Sequence, residues 1–369
     1  MVRGRHAVAP AALLGRGDEV VYGPEARTLL AGRRVLVTGA GGSIGSELVR
    51  QLHRLGPAAV YLLDHDESAM HALQLELHGK ALLDDDTTVL ADVRDRDGIA
   101  RIIDRLRPDI VYHAAAHKHL PLLERYPAEG VKTNLLGTDN VAAACGRTGI
   151  GHLVNVSTDK AARPTSVLGV TKRLAEQVVA TQAGNGTRMA SVRFGNVLGS
   201  RGSFLDTLAW QVDHDLPVTV THPDVTRYFM TIPEAAGLVI EATCLARSGE
   251  SYVLDMGEPV RIVDLVDRYA AVLGRPAPRV VFTGLRPGEK LHEELMDAAE
   301  RSTRTGHPRI SAVEARVPGE EHLRERVNAL YALAVGGRTH ELLAALRGLL
   351  PGGSRDAAEP SAEPVGAAP

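Results

Sequence analysis

From Arg34 onward, short apolar runs of β type alternate with stretches whose apolar positions recur at helical spacing. RVLVT precedes a helical pattern running through Ser46 to Leu55, AVYLLD precedes one reaching Leu77, TTVLADV precedes IARIIDRL, and DIVYHAA precedes a longer helical stretch. HLVNVS and MASVRF, residues 189–194, continue the series. Continuous apolar strands of four to six residues separated by helices predict a parallel sheet buried on both faces, and right-handed crossovers make it doubly wound. The expected class is therefore α/β with a doubly wound parallel sheet. After Gly195 the pattern loosens into Gly-rich loops and shorter segments, which predicts a smaller lobe over the carboxyl ends of the strands, where ligands of such sheets bind. No repeat of fixed period runs through the chain. The expected division is an N-terminal extension over 1–30, a nucleotide-binding domain over 31–195, a substrate lobe over 196–349 with elements returning to the main sheet, and a disordered tail over 350–369.

Composition changes this picture only by exclusion. With 369 residues and a net charge of −3, the chain has room for a large two-lobed core and no basic track for nucleic acid. Cys145 and Cys244 stand far apart without CxxC spacing, so neither a disulfide framework nor a zinc site is expected, and a reducing cytoplasm is the expected compartment. No uninterrupted apolar run is long enough to span a membrane, and Pro10 breaks the short N-terminal one, so a secretory signal is not expected. The tail, PGGSRDAAEPSAEPVGAAP, offers little apolar surface to offset its ordering entropy.

RVLVTGAGGSIGSE places Gly39, Gly42 and Gly45 at three-residue intervals on a strand-to-helix turn. Glycines let the backbone approach a pyrophosphate, and the N-terminus of the following helix favours its charge; Ser43 and Ile44, between the glycines, are cofactor-binding candidates with them. Asp64 closes the next strand, where a carboxylate accepts hydrogen bonds from a ribose and repels a 2′-phosphate, so NAD is expected over NADP. Asp92, beside Val93 at the end of the third strand, is a candidate either for the adenine side or for a helix cap. The His113, His117 and His119 group has no acidic or thiol ligand at a recognisable spacing, and no metal is expected. It reads instead as a strand end where Ala114 and Ala115 let the backbone lie along the cofactor.

Residues 154–172, VNVSTDKAARPTSVLGVTK, crowd a hydroxyl, a carboxylic acid and an amine in Thr158, Asp159 and Lys160. Only six of the 42 basic residues are lysine, so Lys160 and Lys172 stand out as positions that need an amine able to lose its proton. The segment holds no tyrosine; Leu168 stands four positions before Lys172, where an ordinary dehydrogenase would carry one.

TGAGGSIGSE, HAAAHKHLPLLE, NLLGT, STDKAARPTSVLGVTKRLAE, RFGNVLGSRGS, DVTRYFMTIPEAA and LRPGEKLHEEL occur in that order, and the resemblance they carry runs from about Leu14 to about Leu295. On these motifs the chain closely resembles the polysaccharide-biosynthesis UDP-N-acetylglucosamine 4,6-dehydratases. These are extended short-chain dehydrogenase/reductases with a Rossmann domain, whose long members carry membrane helices and a further domain ahead of this region. The resemblance implies a soluble catalytic core acting on a UDP-sugar, no membrane or nucleic-acid partner, and a homo-oligomer. Members that invert C5 carry Tyr at the position of Leu168 and retaining members a nonpolar residue, usually Met, so the resemblance implies retention. It also implies Thr158, Asp159 and Lys160 as the catalytic group, with Lys172 on the nicotinamide ribose. Lys118, Asn134, Asn196, Arg201, Arg227 and Arg286 fall in the motifs that hold the substrate, although Arg201 and Lys290 read equally well as surface charges.

The chemistry asks for such groups. Oxidising C4 acidifies the C5 hydrogen, after which the C6 hydroxyl leaves and the hydride returns to C6. Abstracting the C5 proton is open to a desolvated Lys160 poised near neutrality, and loss of water is open to a protonated Asp159. Thr158 can bond the C4 oxygen. The C4 hydroxyl proton falls to Asp159 or to a water held by Lys172. Two rivals remain: a nucleotide-sugar 4-epimerase, which usually keeps the Tyr, and a cofactor-sensing binding protein on a degenerate dehydrogenase scaffold.

Overall fold

A computed structural model describes residues 8–17, 20, 22–182, 186–314 and 317–351. Most of the expected tail lies outside them. Six strands alternate with helices: β1 (Arg34–Thr38), β2 (Ala59–Asp64), β3 (Thr88–Leu90), β4 (Ile110–His113), β5 (His152–Val156) and β6 (Arg188–Arg193). They pair in parallel in the order β6-β5-β4-β1-β2-β3, so the chain winds outward from β1 in both directions. The continuous apolar runs have a direct cause in the pleat. Val35 and Val37 of β1 enter one core with Val60 and Leu62 of β2, while Leu36, Tyr61 and Leu63 enter the core on the opposite face.

Helices Pro24–Leu30, Ser43–His53 and Ile232–Leu245 cover the first face; Arg96–Leu106 and Gly137–Thr148 cover the second. Helix Ser43–His53 starts three residues earlier than the periodicity predicts, because Gly42 adopts the extended conformation of a cap. β3 keeps only three residues of the expected TTVLADV run, as befits an edge strand with one neighbour.

Beyond β6 the sheet departs from a purely parallel pattern. Glu250–Leu254 adds in parallel to β6, then Ile310–Glu314 and Ser302–Arg304 add antiparallel at the edge. Between these returns the chain builds a smaller lobe from strands Asn196–Leu198, Val218–Val220 and Val280–Phe282 and helices Phe204–Asp213 and Ile262–Val272, around Leu208, Leu265 and Tyr269. The N-terminal residues belong to both halves. Leu13 is buried in the small-lobe core, whereas Ala26 and Leu30 are buried in the main one. The boundary between the lobes is thus crossed at 14–24, 193–196, 231–232, 254–260 and 282–302. A last helical pair, Glu320–Val335 and Thr339–Arg347, packs on helix Val167–Thr181 in a fourth core shared with Leu123, Val131 and Leu135. Among the described residues, no helix is long and apolar enough to cross a membrane.

Candidate active site

The turn after β1 is shaped by close backbone approach. Gly39 has a φ of 68°, and a Cβ there would lie 2.6 Å from the Ala115 backbone nitrogen. A Cβ on Gly45 would lie 2.0 Å from the Gly39 carbonyl oxygen, so the helix can start this close to β1 only with glycine at that position. Gly42 caps the helix with no side chain of its own, leaving its positive end open to the cleft. Asp64 is held rigidly at the end of β2: Oδ2 accepts from Gly41 N at 2.8 Å, and Oδ1 accepts from His65 N at 2.7 Å and Asp66 N at 3.0 Å. This glycine cradle beside a fixed carboxylate fits the diphosphate and ribose of a dinucleotide.

A cleft of about 1000 Å³ opens from this turn along the carboxyl ends of the strands. Gly39, Gly42, Ser43, Ile44, Asp64, Asp92, Val93, Ala114 and Ala115 line it around the glycine turn, with Arg201 over that turn; Thr158, Lys160, Leu168, Lys172, Lys118 and Asn196 line the remainder. Asp92 is not the helix cap, which is Asp95 accepting from Gly98 N at 2.9 Å. The Asp92 carboxylate instead takes both Nε and Nη2 of Arg94, at 2.8 and 2.6 Å. His113 is buried between Thr38 and Thr138 hydroxyls, 2.7 and 3.0 Å from its two ring nitrogens, and burial pushes its pKa down to about 3. That histidine is a neutral core pin.

Thr158 and the single turn Asp159–Ala161 follow β5, and the Ser166 hydroxyl, accepting from Gly169 N at 3.1 Å, starts helix Val167–Thr181. Leu168 and Lys172 therefore lie one turn apart on the same wall. Asp159 is fully buried; its Oδ1 accepts from Thr158 Oγ1 at 2.9 Å and from Lys160 Nζ at 3.0 Å. Its Oδ2 has no hydrogen-bond partner among the described residues. Lys160 Nζ also reaches Asn196 Oδ1 at 3.3 Å and Glu293 Oε1 at 3.4 Å.

These contacts correct the expectation of a Lys160 poised near neutrality. Burial alone would lower its pKa, but the Asp159 and Glu293 carboxylates outweigh burial and hold it above the ordinary lysine value. The amine near neutrality is Lys172, which burial pushes down to about 8 and whose Nζ donates to the Val156 carbonyl at 2.6 Å.

Several expected substrate residues lie elsewhere. Asn134, on the π-helical turn Val131–Leu136, is fully buried and clamps the His117 backbone, accepting from its N at 2.8 Å and donating to its O at 3.0 Å. It shapes the loop bearing Lys118, whose Nζ donates to Ser200 Oγ at 3.2 Å. Arg201 is brought over the glycine turn, where its guanidinium donates to the Gly41 carbonyl and its backbone N donates to Ser43 Oγ at 3.0 Å, so it faces the dinucleotide side. Arg227 is buried off the cleft wall, its guanidinium taken by Glu289 at 2.8 Å and by the Thr226 and Leu291 carbonyls. Arg286 is exposed outside the cleft. Sequence reasoning missed Glu293, although LRPGEKLHEEL carries it; nothing in its spacing from Lys160 announces that the two meet.

The sequence profile of the polysaccharide biosynthesis protein family matches residues 35–315. The probable polysaccharide biosynthesis protein EpsC of Bacillus subtilis is 46% identical over 304 residues, covering 81% of this chain and 50% of that protein. The capsular polysaccharide biosynthesis protein CapD of Staphylococcus aureus is 46% identical over 278 residues, covering 73% and 46%. The chain thus spans about half the length of these relatives. Among solved structures, Pen from Bacillus thuringiensis superposes with a TM-score of 0.70 at 27% identity, covering 81% of this chain and 98% of that one. UDP-glucose 4-epimerase of Thermus thermophilus, in complex with NAD, gives 0.61 at 25% identity, covering 71% and 90%.

Proposed function

The chain belongs to the polysaccharide biosynthesis protein family, of the nucleotide-sugar dehydratase and epimerase type, and we propose that it is an NAD-dependent UDP-N-acetylglucosamine 4,6-dehydratase. The product is UDP-2-acetamido-2,6-dideoxy-α-D-xylo-hexos-4-ulose, formed with retention at C5. One observation carries this reading: Lys160 and Leu168 share the wall of the cleft that the glycine turn opens, with the Asp159 carboxylate buried directly against the Lys160 amine, so proton-transfer groups are present where a phenol is not.

NAD bound along that turn supplies reversible oxidation at C4 and is regenerated in each turnover. Asp64 holds the adenosine ribose and Lys172 the nicotinamide ribose. Thr158, whose hydroxyl already donates to Asp159, accepts from the C4 hydroxyl. A single proton passed from Lys160 Nζ to Asp159 Oδ1, 3.0 Å away, turns the ion pair into an amine and a carboxylic acid. The amine takes the C5 proton of the 4-keto sugar, while the acid protonates the C6 hydroxyl, which leaves as water. Lys160 returns its proton to the face of C5 from which it came. The proton shed by the C4 hydroxyl, relayed through water at Lys172, restores the ammonium.

Turnover of UDP-N-acetylglucosamine in deuterium oxide tests each element. The expected product has lost one water, carries solvent deuterium at C5 in the gluco-derived configuration, and bears at C6 the hydrogen that began on C4. An isobaric product would instead mark a 4-epimerase, and an unchanged substrate a binding protein. An L-arabino product in the fresh reaction would overturn retention.

A further inference from the structure

We propose that Glu293 is a positioning residue for Lys160, reaching it from outside the cleft wall to fix the ammonium and govern how readily it hands its proton to Asp159. This rests on the reading above that Lys160 moves protons. An ammonium has three N–H bonds, and three oxygens surround this one: Asp159 Oδ1, Asn196 Oδ1 and Glu293 Oε1, at 3.0, 3.3 and 3.4 Å. Asp159 comes from the nucleotide half. Asn196 and Glu293 come from the part of the chain that builds the smaller lobe, so the amine is gripped from both sides.

Glu293 is an unusual residue to find there for packing alone. Its side chain is 3% exposed, and its Oε2 has no hydrogen-bond partner among the described residues. Lys290 Nζ lies 4.0 Å from that oxygen, itself buried and without a hydrogen-bond partner among the described residues. A buried carboxylate left this incompletely paired costs stability, which purely structural ion pairs seldom do for no return. Its position is nevertheless fixed. The preceding residues dock on strand Thr226–Arg227 through Thr226 N to Leu291 O at 3.1 Å and Thr226 Oγ1 to His292 Nδ1 at 2.9 Å.

The charged groups around Lys160 are then Asp159 and Glu293 against Lys290 and Arg227, the last paired with Glu289. Removing the Glu293 charge leaves Asp159 as the one carboxylate touching the amine. Neutral Lys160 then forms more readily, but its direction toward C5 is lost.

The test is a direct titration of Lys160 in the full chain with 13Cε-labelled lysine, which yields only six lysine signals, assigned for Lys160 by Lys160→Arg. Glu293→Gln is expected to lower the Lys160 midpoint by about one pH unit, tenfold in its proton equilibrium, and Glu293→Asp by less. In turnover, kcat of Glu293→Gln should fall about tenfold with KM for the UDP-sugar unchanged, and the falling, alkaline limb of its pH profile, where the Asp159–Lys160 pair loses its one proton, should move to lower pH. Lys160 titrating identically in wild type and both Glu293 variants would overturn the proposal. A shifted titration together with an active Lys160→Arg would leave Glu293 in its role and overturn the catalytic reading of Lys160 instead.

Discussion

The Asp64 carboxylate accepts the backbone N–H of Gly41 at 2.8 Å, which makes the end of β2 and the glycine turn after β1 one hydrogen-bonded unit. The carboxylate proposed to select the ribose therefore also shapes the glycine cradle. Nucleotide released by denaturing purified wild-type protein is expected to be NAD. Asp64→Ala should weaken NAD binding about 10- to 100-fold, the scale of a lost charged hydrogen-bond set, and narrow its preference over NADP. Wild-type protein carrying mainly NADP would contradict this role.

Arg201 bridges the same turn from the smaller lobe. Arg201→Ala is expected to release bound cofactor about tenfold faster, read as nucleotide retained through desalting, because a guanidinium on a diphosphate is a strong charge-assisted contact. Unchanged retention with a raised KM for the UDP-sugar would return Arg201 to the substrate role its motif implies.

Lys160→Arg keeps a charge but removes an amine that can be deprotonated, and Asp159→Asn removes the acid. Each should cut turnover by about 10²- to 10⁴-fold while cofactor remains bound. Near-normal rates in either variant, measured alongside nucleotide content, would show that proton transfer belongs to other residues.

Leu168 is 5% exposed, packed in the core under helix Val167–Thr181 while contributing to the cleft wall. A phenol there has to displace that packing. Leu168→Tyr is expected to leave kcat no higher and to raise KM by crowding the sugar; a rate gain would mean that the wild-type site lacks a tyrosine it needs.

Lys172 gives a pH signature in stability. Its folded pKa of about 8 lies below the ordinary 10.5, so between those values the unfolded chain binds more protons and stability rises with pH. Burying the charge below pH 8 costs on the order of 3 kcal/mol, relieved as the amine loses its proton. Denaturant midpoints of wild type and Lys172→Met, compared at pH 7.5 and 9.5, should shift in favour of wild type at the higher pH. A constant difference would show that Lys172 is not desolvated.

What the sequence made legible follows from the range of the forces involved. The strands β1 to β6 were readable because burial on both faces of a parallel sheet leaves uninterrupted apolar runs. The glycine turn was readable because its constraints act within seven residues. The antiparallel edge of Ser302–Arg304 and Ile310–Glu314 was not, since its pairing partner Glu250–Leu254 lies far away in the chain. The same distance hid Glu293 from Lys160. The charge state of Lys160 was misjudged because desolvation can be guessed from neighbours in sequence, whereas two opposing carboxylates, one arriving from another lobe, cannot. Arg227 and Arg286 were assigned by motif, and the fold spends one on Glu289 and exposes the other.

The repeated passage of the chain between the lobes has a mechanical consequence. A boundary stitched at 14–24, 193–196, 231–232, 254–260 and 282–302 resists wide hinge opening, because every stitch would have to bend about one axis. Neither half exists as a contiguous segment that could be cut out and folded alone. Motion around the cleft is therefore confined to short loops such as the one bearing Arg201, and a cofactor seated beneath that loop leaves by local unbuttoning while the two halves stay joined.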